Sequence, residues 1–214
     1  MMEGNFLELA STRRSIRKFQ AAAIPEADLE YFIQAAVQAP SGCNSQCWRF
    51  IAVRDREIIG RMEAAVVQSV AKLLEIHRNR LTPEYLESKR KMVSFFAAAP
   101  LVIAVFMTEA KFYDKLMIEA LRAQGYDDAG IAKLFGQYDL LSVGAAIQNL
   151  LLAVHEKGYG ACWMNEPVVA EAALQDILAV PRGQRLIALI PVGVPAYVPR
   201  GKTLKAMAEV FEVR

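Results

Sequence analysis

The sequence has little of what usually gives a chemistry away. Its 214 residues include three cysteines, Cys43, Cys47 and Cys162, an odd number with no CxxC pair. A disulfide framework and a zinc ribbon are therefore not expected, and the thiols read as reduced ones of a cytosolic protein. The two histidines, His77 and His155, stand alone on helical stretches and read as structural or exposed. There is no G-x-G-x-x-G turn, no internal repeat, no low-complexity tract and no obvious linker. The most apolar stretch, Leu140 to Val154, carries Ser142, Gln148 and Asn149 and is too short for a bilayer span. The opening MMEGNFLELA has an early acid and no long apolar core, unlike a secretory signal. Charge is nearly balanced, 25 Lys+Arg against 23 Asp+Glu, so no basic stripe invites nucleic acid. The expectation is a cytoplasmic globular protein with no membrane and no nucleic-acid partner.

What the chain does have is local. Arg13-Arg14-Ser15-Ile16-Arg17-Lys18 packs four cations and a hydroxyl into six positions. Forked guanidinium donors with a short neutral hydroxyl suit a phosphate. A solvated basic turn after a first helix is the other reading. About twenty residues on, a helical pattern over Glu26–Gln38 stops at Pro40 and opens into Ser41-Gly42-Cys43-Asn44-Ser45-Gln46. That loop is rich in amides and hydroxyls, and Trp48–Val53 after it is β-prone. Polar groups held between a helix and a strand can face a ligand, although the same residues also make ordinary turns.

Together, RRSIRKF and APSGCNSQCWRF resemble the opening of the nitroreductase-like flavoprotein family. Residues 139–167 resemble its long buried helix and following strand, and residues 187–202 its last core strand and basic C-terminal segment. The resemblance implies an α+β (α/β-like) domain over residues 1–214, with a central, mostly antiparallel sheet flanked by helices. It also implies an intertwined homodimer that binds FMN between subunits. The implied activity is that of an NAD(P)H-dependent oxidoreductase passing hydride through flavin N5 to a nitroaromatic, quinone or similar small-molecule acceptor. Dehalogenation, oxidation or fragmentation of the flavin, and a non-catalytic or sensory FMN-binding role, stay open as alternatives. NADH and NADPH are not distinguished.

By the same resemblance, Arg13, Ser15 and Arg17 hold the FMN phosphate, and Arg14 contributes at the ribityl or pyrimidine side. Arg200 and Lys202 close on that phosphate. Pro40, Ser41, Gly42, Asn44 and Gln46 reach the flavin from the partner subunit, and Met164, Asn165 and Glu166 lie beside its ring, with the Asn165 N–H at N5. Two departures from the family pattern stand out. Cys47 replaces a proline after the loop's Gln, placing a thiol near the site, and Asn165-Glu166-Pro167 replaces a glycine-containing turn. Glu166 either faces the substrate, where it would disfavour anionic acceptors, or simply turns the chain into the next helix. No side chain is named catalytic, because the cofactor carries the chemistry.

Periodicity fills in the rest. Helices are expected before Thr12 and over 26–38, 55–77, 83–96, 110–122, 127–135, 139–157 and 168–178, and strands over 48–53, 101–107, 159–164 and 185–192. The 139–157 helix is apolar all round, so a second subunit is expected to cover part of it. Residues 77–91 and 108–138 are the expected lid.

Overall fold

The computed structural model describes residues 6–76, 81–109 and 115–214. Four named strands form one sheet among them: β1 (Trp48–Val53), β2 (Leu101–Met107), β3 (Gly160–Ala161) and β4 (Arg185–Gly193). Their spatial order is β1-β2-β4-β3, and every ladder is antiparallel. All seven residues of β2 are buried, as a continuous apolar run requires when both sheet faces are covered.

The covering helices are α1 (Phe6–Thr12), α2 (Glu26–Val37), α3 (Arg56–Glu75), α4 (Pro83–Ser94), α5 (Lys115–Ala123), α6 (Asp128–Phe135), α7 (Tyr138–Glu156), α8 (Glu171–Ile177) and α9 (Met207–Val210). Alternate residues of β2 enter different cores. Leu101, Ile103, Val105 and Met107 meet α2 and α7, while Val102, Ala104 and Phe106 meet α3 and α8. A register shift at Val105/Phe106 leaves an extra residue in β4, which is why neighbouring Ile187 and Ala188 both enter the α7 side.

Local chemistry sets the helix ends. Asp55 Oδ1 accepts from Glu57 N at 2.8 Å and Ile58 N at 3.2 Å, and Thr82 Oγ1 accepts from Tyr85 N at 3.2 Å with Pro83 in the first turn. At the C-terminus of α7, Gly158 adopts φ 81°. Its N–H donates to His155 O at 2.9 Å, and that of Tyr159 donates to Val154 O at 3.0 Å, closing a Schellman turn.

Several expectations need correction. α7 begins one residue early, after Gln137 in left-handed backbone at φ 52°, so Asp139 is not its cap. The Asp139 carboxylate instead accepts from the adjacent Leu140 N at 2.8 Å. The 159–164 strand is a ladder only at Gly160–Ala161, with one further bridge from Met164 to Leu189. The 168–178 helix starts as a 3₁₀ turn at Glu166–Ala170. α4 likewise gives way to a 3₁₀ turn at Phe95–Ala98. The short α9 was not expected. His77 and the starts of both lid segments' central portions, 77–80 and 110–114, lie outside the described residues.

Candidate functional site

Residues 13–17 run extended along the free edge of β3. Ser15 bridges Ala161 in parallel, and Ile16 N donates to Ala161 O at 2.9 Å. Around the Ser15 bridge the backbone alternates its side chains, so Ser15 and Arg17 share one face and Arg14 and Ile16 the other, while Arg13, next to the end of α1, acts toward both His155 and Cys162. Ile16 is buried beside Gly160, where any Cβ would lie 2.5 Å from Ile16 Cγ1. Glycine at 160 therefore lets the basic segment lie flat on the sheet.

The neighbouring groups register both faces. Burial pushes the Cys162 thiol up, opposed by the Arg17 charge, the Ser15 hydroxyl and the Arg13 charge. Burial, then Arg13 and Arg14, hold His155 below the usual imidazole range. Thr12 Oγ1 and His155 Nε2 lie 2.9 Å apart. Beside them a cavity of about 150 Å³ opens, with Arg13, Arg14, Ile16, Tyr159 and Pro199 in its wall.

The C-terminal basic segment comes back to this cluster. Gln20 N donates to Val194 O at 2.9 Å and Ala196 N to Lys18 O at 3.0 Å, so 194–196 runs beside 18–20. Arg14 Nε then donates to Arg200 O at 3.2 Å, and Lys202 Nζ to Ala10 O at 3.5 Å. The expected basic groups from 13–17 and 200–202 are thus gathered at one end of the molecule, although they are 183 or more positions apart in sequence.

The polar loop is anchored elsewhere. Gly42 N donates to Ser142 Oγ at 3.2 Å, and Ser142 Oγ donates to Tyr138 O at 2.6 Å, near the start of α7. Buried Cys47 packs there too, its thiol 3.7 Å from Asp139 O. Gln46 N donates to Ser41 Oγ at 3.1 Å, and Gln46 Nε2 to Asn44 Oδ1 at 3.2 Å. Cys43, Asn44 and Gln46 all hold positive φ, near 50°. That backbone costs a side-chain-bearing residue about 1 kcal/mol or more each time, and such strain gathers where a ligand needs it. Ser142 and His155 are 13 positions apart on α7, so loop and basic cluster sit roughly 20 Å apart along it.

Met164 is buried and bridges Leu189, and Asn165 Nδ2 donates to Ile187 O at 2.9 Å, so both are pinned to β4. Glu166 does turn the chain into the next helix, and it also pairs with Lys89 of α4. Lys89 was missed in the sequence. Its partner is 77 positions away, and only its place in a basic helix hinted at a role.

The donor set fits a phosphoflavin. It offers cationic groups at 13–17 and 200–202 and, four residues beyond Ala161, the Asn165 backbone, no more than roughly 14 Å away. Ser45 Oγ and Trp163 Nε1 are also buried without a protein partner in the single chain, among the described residues.

The Nitroreductase family matches residues 10–194. The chain belongs to the nitroreductase family. An iodotyrosine deiodinase from Thermotoga neapolitana is 30% identical to this nitroreductase-family chain over 190 residues, covering 88% of it and 87% of the relative. Among solved structures, a BluB-like flavoprotein from Clostridium difficile 630 aligns at TM-score 0.82 with 25% identity over 99% of both chains. A nitroreductase with bound FMN from Desulfitobacterium hafniense DCB-2 aligns at TM-score 0.73 with 20% identity over 100% of both, which speaks to fold. The chain is thus a nitroreductase-family protein with helices around an antiparallel sheet.

Proposed function

We propose that two copies of this chain bind FMN at their interface and form an NAD(P)H-dependent oxidoreductase acting on a nitroaromatic, quinone or similar acceptor. The observation that supports the reading is that Arg14 and Lys202 tie the 10–17 and 200–202 segments together, while the strained 41–46 loop sits at the opposite end of α7. Two α7 helices packed antiparallel about a two-fold axis would bring each loop to the other copy's basic cluster. A stripe of α7 suited to such packing, Leu141, Ala145, Gln148 and Leu152, is not buried within one chain, and Leu141 is 65% exposed.

Bound there, FMN supplies hydride transfer between the nicotinamide and the acceptor. The protein's part is to bind and orient. Arg13, Ser15, Arg17, Arg200 and Lys202 would hold the phosphate, whose desolvation needs several charge-assisted bonds. The Asn165 N–H would donate at the ring edge, its side chain being already committed to Ile187. Pro40, Ser41, Gly42, Asn44 and Gln46 of one copy would meet the flavin held by the other. Lys89, by pairing with Glu166, offsets the carboxylate that would otherwise repel anionic acceptors.

A second reading, reductive dehalogenation of a halogenated phenol, is favoured by the 30% identity to a deiodinase. The experiment is anaerobic reoxidation of the NADH- or NADPH-reduced protein by a nitroaromatic, a quinone and an iodophenol in turn. Fast reoxidation by the first two supports the reductase. Release of iodide from the third, with the first two inert, supports the dehalogenase. For the site itself, Arg13→Ala with Lys202→Ala should weaken FMN binding well over tenfold, since two charge-assisted contacts go. Unchanged affinity would remove the phosphate assignment.

A further inference from the structure

We infer that Arg14 is a positioning residue which staples the C-terminal basic segment in place, so that Arg200 and Lys202 stand at the phosphate cradle without Arg14 touching the phosphate. The inference rests on the FMN reading above and departs from the expected ribityl or pyrimidine contact. Arg14 Nη1 donates to Ser11 O at 2.5 Å and Arg13 O at 2.8 Å, and Nε donates to Arg200 O at 3.2 Å. Three main-chain carbonyls thus engage one guanidinium, whose planar fork can serve several acceptors at once.

The geometry of α1 explains why those carbonyls are available. The last carbonyls of a helix lack intrahelical partners. At the end of α1, Leu9 O receives Arg13 N at 3.2 Å, Ala10 O receives Lys202 Nζ, and Ser11 O receives Arg14. Two cations therefore cap a helix terminus, which their charge also favours. Among the described residues, the Arg14 and Lys202 bonds are the hydrogen bonds tying 197–205 to the body of the protein. Without Arg14, Arg200 lies on a segment held by one long lysine contact.

Alternation along 13–17 agrees. Arg14 lines the His155 side with Arg13 and Ile16, whereas Ser15 and Arg17 act on Cys162 from the opposite side. A lysine at 14 keeps the charge but cannot bridge three carbonyls, so Arg14→Lys separates staple from charge.

The test compares FMN and riboflavin binding by wild type, Arg14→Lys, Arg14→Ala, Arg200→Ala and the Arg14→Ala/Arg200→Ala pair, with trypsin digestion of the flavin-free proteins. The staple predicts that Arg14→Lys loses about tenfold in FMN affinity, one charge-assisted contact's worth, with riboflavin affinity nearly unchanged. It predicts that the double variant loses less than the product of the two single losses, because part of the Arg14 effect is exerted through Arg200. Flavin-free Arg14→Lys should be cut after Arg200 and Lys202 several-fold faster than wild type. Wild-type FMN affinity in Arg14→Lys, or multiplicative losses in the double variant, would overturn the inference. If Arg200→Ala leaves the FMN-to-riboflavin ratio unchanged, the phosphate reading itself fails, and the digestion still decides whether the staple exists.

Discussion

Residues 13–17 are held beside Ala161 by the Ser15 bridge and the Ile16 N–H, and Arg14 joins them to a segment almost two hundred positions away. Residue type alone left a phosphate site and a solvated basic turn both open, and it was the company of the later motifs that favoured the phosphate. The division of labour between Arg13 and Arg14 was not legible, since it depends on which carbonyls α1 leaves open. His155 offers a prediction at this scale. Its folded pKa is lowered by burial and two arginines, so the unfolded chain takes up a proton first as pH falls. Stability of the flavin-free protein should therefore drop as pH falls from about 6.5, the unfolded value, through the lower folded one. His155→Gln should flatten the urea-midpoint dependence between pH 7.5 and 5.5, and an unaltered slope would reject this role. Cys162 needs no such test of reactivity: burial, the largest influence, keeps its thiol protonated.

Elements carry the next set of constraints. Apolar patterning located β2 as a continuous run buried on both faces, α3 by one buried face, and α7 by its long apolar stretch. It overestimated the strand after α7, where 162–164 continues in extended form while the ladder itself stops at Ala161. It placed the α7 cap at Asp139 because a good capping residue was present, whereas the left-handed backbone at Gln137 sets the true start. The contact between β3 and the basic segment leaves no room at Gly160, with Ile16 Cβ 2.7 Å from any added Cβ. Gly160→Ala should cost about 1–3 kcal/mol by overpacking and should weaken FMN binding as well, because it lifts residues 13–17 off the sheet. Calorimetry with flavin titration checks both, and a loss of stability with full FMN affinity would separate the fold from the cradle. Leu150→Ala, in the fully buried core of α7, should cost about 2–5 kcal/mol. The Lys89–Glu166 pair is partly solvated, so Lys89→Met should cost about 1 kcal/mol at most in stability. Its expected effect is on acceptors, raising KM most for anionic ones while kcat for neutral quinones stays close to wild type.

The whole molecule exposes a good deal of apolar surface for a single chain. Phe6 and Leu7 on α1, Leu141 on α7, and Leu204, Met207, Phe211 and Val213 after the basic segment are all more than 60% exposed. Such residues, where they form one patch, are what the proposed dimer would cover. Sedimentation should give twice 23.7 kDa, and an FMN-loaded species at 23.7 kDa would contradict a shared site. The fold was readable in the sequence because four modest motifs occur in the right order along one chain. Substrate choice was not, because the sequences of α4 to α6 carry helix signals without a chemical one. No described helix is long and apolar enough to cross a membrane. The most direct test of the account is the absorption spectrum of the purified protein, with the released chromophore identified by mass. The account predicts flavin bands near ~370 and ~450 nm and released FMN. A colourless protein that also fails to take up added FMN would contradict it.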